Sequence, residues 1–108
     1  MKMTERHTGP GCYIKVFNES PMSVRLHASF LLDEKMEGRM SDLCESGANT
    51  AIEIPALAKK VSYSILGKEK EESFRIILSK RMGNPIHLAM QIEKDGSGNI
   101  LVKEVRRG

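Results

Sequence analysis

The stretch IEKDGSGNILVKEV, residues 92–105, decides how the rest of the chain is read. Its centre, Asp95-Gly96-Ser97-Gly98-Asn99, sets oxygen-bearing side chains at alternate positions, as a calcium loop does, and also holds the residues of a tight reversal. A helix-loop-helix calcium loop needs glycine at its sixth position and glutamate at its twelfth. Counted from Asp95, those positions hold Ile100 and Arg106, and both flanks alternate with period two instead of helically. Gly96 and Gly98 supply the positive backbone angles of a tight turn, and Asp95 and Asn99 can bond nearby amides. The stretch therefore predicts a hairpin joining the last two strands.

Working outward from that hairpin, the same alternation returns along the chain. In YIKVFN, Ile14 and Val16 oppose Lys15 and Phe17; in SVRLHASFLL, Val24, Leu26, Ala28 and Phe30 oppose Arg25, His27 and Ser29. TAIEI, KVSYSIL, ESFRIIL and PIHLAMQIE repeat it, with Phe30, Tyr63 and Phe74 on the apolar faces, Phe74 together with Ile76 and Leu78. Alternation of this kind marks half-buried strands. NILVKEV is partly apolar on both faces, which leaves it unoriented. Pro21, Pro55 and Pro85 stand at segment edges, where a missing amide donor harms no ladder.

About seven short strands with turn residues between them define an all-β chain, a small antiparallel β-sandwich of immunoglobulin-like or lectin-like architecture. The alternative is α+β, because Leu57, Val61 and Ile65 would share a helical face, although the β-branched and serine content after Lys60 favours a strand. The parsing gives a flexible N-terminal tail over 1–11 and one domain over 12–108. LDEKMEGRMSDLCESG, residues 32–47, lacks alternation and reads as a long loop or as a distorted edge strand pairing through GRMSDL.

The 108 residues are 40% hydrophobic and 29% charged, an ordinary single-domain composition that needs no metal or disulfide to hold a core. A net charge of +3 is too mild to demand a polyanionic partner. The polar start MKMTERHTGPG has no apolar region of the kind a secretory signal requires, and no run approaches the ~18 apolar residues of a membrane-spanning helix. A soluble, cytoplasmic protein is expected, and with it two reduced thiols, Cys12 and Cys44; a 12–44 bridge enters only for a secreted fragment. The sequon Asn18-Glu19-Ser20 has the same status.

Catalytic and metal chemistry find little support. Cys12 and Cys44 as nucleophiles and His7, His27 and His87 as bases sit in no recognisable motif. Zinc needs short paired ligand spacings, whereas His7 and Cys12 are five apart and Cys44 stands alone. Neither DGSGN nor TGPG lies between a strand and a helix, as a phosphate loop must. The pairs Lys59-Lys60, Lys80-Arg81 and Arg106-Arg107 speak for nucleic acid, but only Tyr13 and Phe17 are spare as stacking rings.

What remains is a polar sheet face. Arg25, His27, Ser29, Arg75, His87 and Gln91 all fall on outward positions, and in a sandwich they are candidates for one shared binding surface. Ile77 and Leu31 on those faces, and Met22, Met36 and Met82 in expected loops, add exposed apolar area suited to adaptable contacts. The expectation is a non-enzymatic binding module without cofactor, mediating protein–protein interaction or self-association through a sheet face, edge strand or loop. A glycan-binding, lectin-like module is the first alternative and a nucleic-acid-binding β-domain the second.

Overall fold

The computed structural model describes residues 11–105, and within them every regular element is a strand. The order is β1 (Cys12–Asn18), β2 (Ser23–Leu32), β3 (Lys35–Met40), β4 (Asn49–Ile54), β5 (Lys59–Lys68), β6 (Arg75–Gly83), β7 (Leu88–Lys94) and β8 (Ile100–Glu104). Two four-stranded sheets, β4-β1-β7-β8 and β3-β2-β5-β6, face one another as a sandwich. The inward residues are those the alternation selects: Ile14 and Val16, then Val24, Leu26, Ala28 and Phe30, then Val61, Tyr63 and Ile65, closed by Met90 and Ile92. The N-terminal tail expected over 1–11 falls, but for Gly11, outside the described residues, as do His7 and the Arg106-Arg107 pair.

Seven of the strands follow the sequence patterns, and the α+β alternative gives way because Lys59–Lys68 is extended and Pro55–Ala58 is a single turn closed by Ala58 N–H on Pro55 O at 3.1 Å. The eighth, β3, answers the ambiguity of 32–47. A two-residue turn at Asp33 and Glu34, with φ of 53° and 64°, folds Lys35–Met40 back on β2, so the edge strand runs through KMEGRM instead of GRMSDL. Paired positive angles are the mark of a tight hairpin, and Asp-Glu is a weak carrier of that signal compared with Asn-Gly.

Most pairings are antiparallel, and one is not: β1 and β7 run parallel, with Ile14 beside Leu88 and Asn18 beside Ile92. The chain leaves the β1 sheet after β1, returns for β4, builds β5 and β6 opposite, and re-enters as β7 in the direction of β1. Alternation reports which face a residue occupies and carries nothing about strand direction, so this feature has no signature in the residues.

The predicted 95–99 hairpin joins β7 to β8, with Lys94 paired to Ile100. Asp95 organises it: its Oδ1 accepts from Ser97 N–H at 2.9 Å and Asn99 N–H at 2.8 Å, and Gly98 turns the chain with φ 89°. Among the described residues, no three of His, Cys, Asp or Glu converge as metal ligands.

Candidate binding face

Strand geometry sends alternate side chains of β3, β2, β5 and β6 to the outside of their sheet. The register puts Arg25 beside Leu66, His27 between Met40 and Ser64, and Ser29 between Gly38 and Ser62. It continues to β6, where Ile76 stands beside Leu66, Ser79 beside Ser64 and Arg81 beside Ser62. Ser64 and Ser79 share a hydroxyl–hydroxyl hydrogen bond of 2.7 Å. None of the outward strand positions on this face is Asp or Glu; carboxylates stand at the rim, where Glu45 accepts from Ser23 Oγ at 2.7 Å and where the 69–72 connection begins.

Arg25 is the centre of this surface. Its guanidinium lies 5.5 Å from the centroid of Phe74, Nη1 approaches Met40 Sδ at 3.8 Å, and Nε is sealed from solvent without an acceptor. Lys68 Nζ joins the cluster, 5.4 Å from the centroid of the same ring. A thioether sulfur is a weak acceptor, and an aromatic face attracts a cation without accepting its hydrogen bonds in oxygen geometry. Among the described residues, then, the Arg25 fork has no oxygen acceptor, and it sits among Phe74, Met40, Leu66 and exposed Ile76.

Of the six residues expected to share one outer surface, the fold brings together Arg25, His27 and Ser29. Gln91 lies on the outside of the opposite sheet, where its Nε2 donates to Glu93 Oε2 at 2.8 Å, and Glu93 is salt-bridged to Lys103 at 3.3 Å. His87 precedes β7 at the far end of that same sheet, stacked on Tyr13 with centroids 6.5 Å apart and accepting from Tyr13 N–H at 3.2 Å. Arg75 points to the inner side of β6, beside Gly67 and within 4.0 Å of Met22 Sδ.

Phe74 belongs to this surface and not to the core, a correction to the alternation that groups it with Ile76 and Leu78. A bulge breaks that alternation. Ile65 pairs with Leu78 and Leu66 with Ile76, leaving Ile77 as the extra residue that turns to the core while Ile76 is pushed out. Two loop expectations also change: Met22 is buried and Met82 packs against the core as part of β6, whereas Met36 is exposed on β3. Nothing in the residue types at 74–78 marks the bulge.

The thiols lie at opposite ends of β1. Cys12 pairs with Ile54 at one end, and Cys44 bridges to Val24 beside Asn18 at the other, six residues and roughly 20 Å along the strand. A disulfide requires Cα atoms within about 7 Å. Burial pushes the Cys44 thiol pKa up, with Glu45 adding to it and the hydrogen bond to Asn18 opposing. The sequon asparagine is equally committed: Asn18 is fully buried, and its Nδ2 donates to Met22 O at 2.7 Å and Cys44 O at 3.0 Å. An amide nitrogen so engaged is closed to a glycan.

No family model matches the sequence, and no curated protein matches it. Solved structures do. The membrane-binding domain of pneumolysin aligns with TM-score 0.67 and 11% identity over 91% of this chain and 98% of that one. Pneumolysin described as a sugar-binding protein aligns with TM-score 0.62 at 10% identity, covering 91% of this chain and 24% of that one. A disulfide-locked mutant of intermedilysin, solved with human CD59, gives TM-score 0.62 at 11% identity over 91% and 24%. The chain thus spans about a quarter of these toxins and nearly all of the isolated domain. At this identity the likeness is one of fold.

Proposed function

We propose that this protein is a non-enzymatic binding module that engages an acidic protein surface through the outer face of the β3-β2-β5-β6 sheet. The observation carrying the reading is Arg25, a guanidinium without an oxygen acceptor among the described residues, framed by Phe74, Met40 and Leu66 and flanked by Lys68. Planar guanidinium forks match carboxylates bidentately, and a partly desolvated setting strengthens the attraction. His27 and Ser29 extend the face with further donors, and Met36, Met40 and Ile76 supply adaptable apolar contact. The toxin-domain fold supports a binding role over a catalytic one, by analogy of architecture alone.

The test is a titration of the isotope-labelled protein with a glutamate-rich peptide, followed by amide shifts. Movement concentrated at Arg25, Leu66, Lys68 and Ile76, abolished by Arg25→Ala, is the expected result. Silence toward the peptide together with shifts produced by vesicles or by glycans overturns it.

A second reading draws on the neighbours, whose descriptions include membrane binding and sugar binding. It is favoured by one specific feature, the exposed Leu57 and Ile86 in the connections 55–58 and 84–87, which share the end of the sandwich where β1 begins. No helix among the described residues is long and apolar enough to cross a membrane. Nucleic acid is the weaker alternative, because outer-surface rings are divided between opposite faces, exposed Tyr13 on one and half-buried Phe74, engaged by Arg25 and Lys68, on the other.

A further inference from the structure

β3 ends its sheet, all six of its residues are exposed, and no described strand lies beyond it. The direction of its backbone groups follows from the register. Ser41 N–H donates to Leu26 O at 2.9 Å, continuing the set of odd-numbered positions that bond to β2. In an antiparallel ladder the bonding direction alternates along a strand, so the N–H and C=O groups of Met36, Gly38 and Met40 point to the open edge. Such an edge is a template for one more strand.

The residues along that edge read Met36-Glu37-Gly38-Arg39-Met40, a sequence that complements itself when reversed. We infer that two copies of this protein pair antiparallel through β3 about a two-fold axis at Gly38, making one continuous eight-stranded sheet. In that register Gly38 faces Gly38 of the second copy, each Met36 faces a Met40, and each Glu37 faces an Arg39. The open donors and acceptors of Met36, Gly38 and Met40 meet their counterparts, and the side-chain-free centre lets the four thioethers close over the axis on the outer face.

The charges select this register. A shift of one permitted step in one direction sets Glu37 against Glu37 and Lys35 against Arg39; a shift in the other sets Arg39 against Arg39. Like charges opposite one another destabilise a strand pair, whereas opposite charges stabilise it. Arg39 has donors to spare beyond Nη1, which is engaged with Glu53 O at 2.7 Å. An interface limited to one short strand is small, so the dimer is concentration-dependent. The inference is independent of the partner bound by the outer face, but it doubles that face: the Arg25 surfaces of the two copies become neighbours on one sheet, a bivalent arrangement that gains by avidity.

Solution mass by light scattering at low and high protein concentration tests the pairing. The wild-type chain should rise from 12.1 kDa toward twice that mass. Glu37→Arg alone, and Arg39→Glu alone, should remain single chains at every concentration. Mixing the two variants should restore the doubled mass, since the arginine introduced in one chain then meets the glutamate introduced in the other. Gly38→Pro removes an edge donor without touching the β2 ladder and should also stay single, with circular dichroism reporting an unchanged β-spectrum. A wild-type mass of one chain at the highest concentration overturns the inference. So does a doubled mass that survives Gly38→Pro and Glu37→Arg. Neither outcome bears on the glutamate-peptide titration, which reads the outer face alone.

Discussion

Asn18 shows how much one buried side chain can hold. Besides its two donated bonds, its Oδ1 accepts from Ser20 N–H at 3.0 Å and Ser20 Oγ at 2.7 Å, so a single amide ties the end of β1 to the 19–22 and 41–48 connections. Removing it takes that donor from Met22 O and the acceptor from Ser20 N–H and Oγ, while Cys44 O keeps the Val24 N–H at 2.9 Å. Asn18→Ala should cost about 3 kcal/mol, on the order of one to three per abandoned buried group, measured by urea unfolding. Asn18→Asp should cost no less, because it turns an acceptor toward two carbonyls. Cys44 belongs to the same corner, and with its thiol pKa raised by burial it should react with a disulfide reagent only on unfolding. Cys12, half-buried at the other end of β1, should react in the native state. Thiol titration with and without denaturant separates the two. None of this is visible in the residues: Asn18-Glu19-Ser20 reads as an acceptor site until burial shows that its nitrogen is already bonded.

The β7–β8 hairpin is the element whose behaviour follows most directly from its residues. Hydrogen bonds from Asn99 N–H, and then from Ser97, Asn99 Nδ2 and Gly98, hold the Asp95 carboxyl below its ordinary value of 3.8. A carboxyl whose folded pKa is depressed contributes stability above the unfolded pKa and loses it as pH falls through the folded one. Thermal midpoints should therefore drop more steeply below pH ~4 for the wild type than for Asp95→Asn, with the two curves diverging toward neutral pH. At β5, Gly67 is needed for space: a methyl there would overlap the side-chain ends of Met22 and Ile77. Gly67→Ala should destabilise by about 1–3 kcal/mol through overpacking, read as a lower denaturant midpoint at unchanged slope. The two elements differ in legibility. Asp-Gly-Ser-Gly-Asn carries its turn in its own side chains, whereas the bulge that exposes Ile76 and buries Ile77 depends on how β6 meets β5.

For the molecule as a whole, the opposing surfaces of the sandwich differ in charge. Sheet β4-β1-β7-β8 pairs its outward charges through Glu93 and Lys103, with Gln91 donating to Glu93, while the other presents Arg25, Lys68 and Arg81 with acids only at its rim. Binding of an acidic partner should weaken as salt rises from low ionic strength to about 0.15 M, where the screening length is about 8 Å, and Lys68→Glu should flatten that dependence. Isothermal titration at several salt concentrations with the glutamate-rich peptide measures it. Residue type and period two were enough to determine that the chain is all-β, which residues of β1, β2, β5 and β7 face the core, and that residues 95–99 reverse it, because burial on one side of a pleat leaves its mark at every second position. Strand direction in the β1–β7 pair, the placement of Phe74 on the outer face, the separation of Gln91 and His87 from Arg25, and the free edge at Met36–Met40 were decided only by the tertiary structure. Each depends on which strands become neighbours, a relation between distant segments that no local pattern of side chains records.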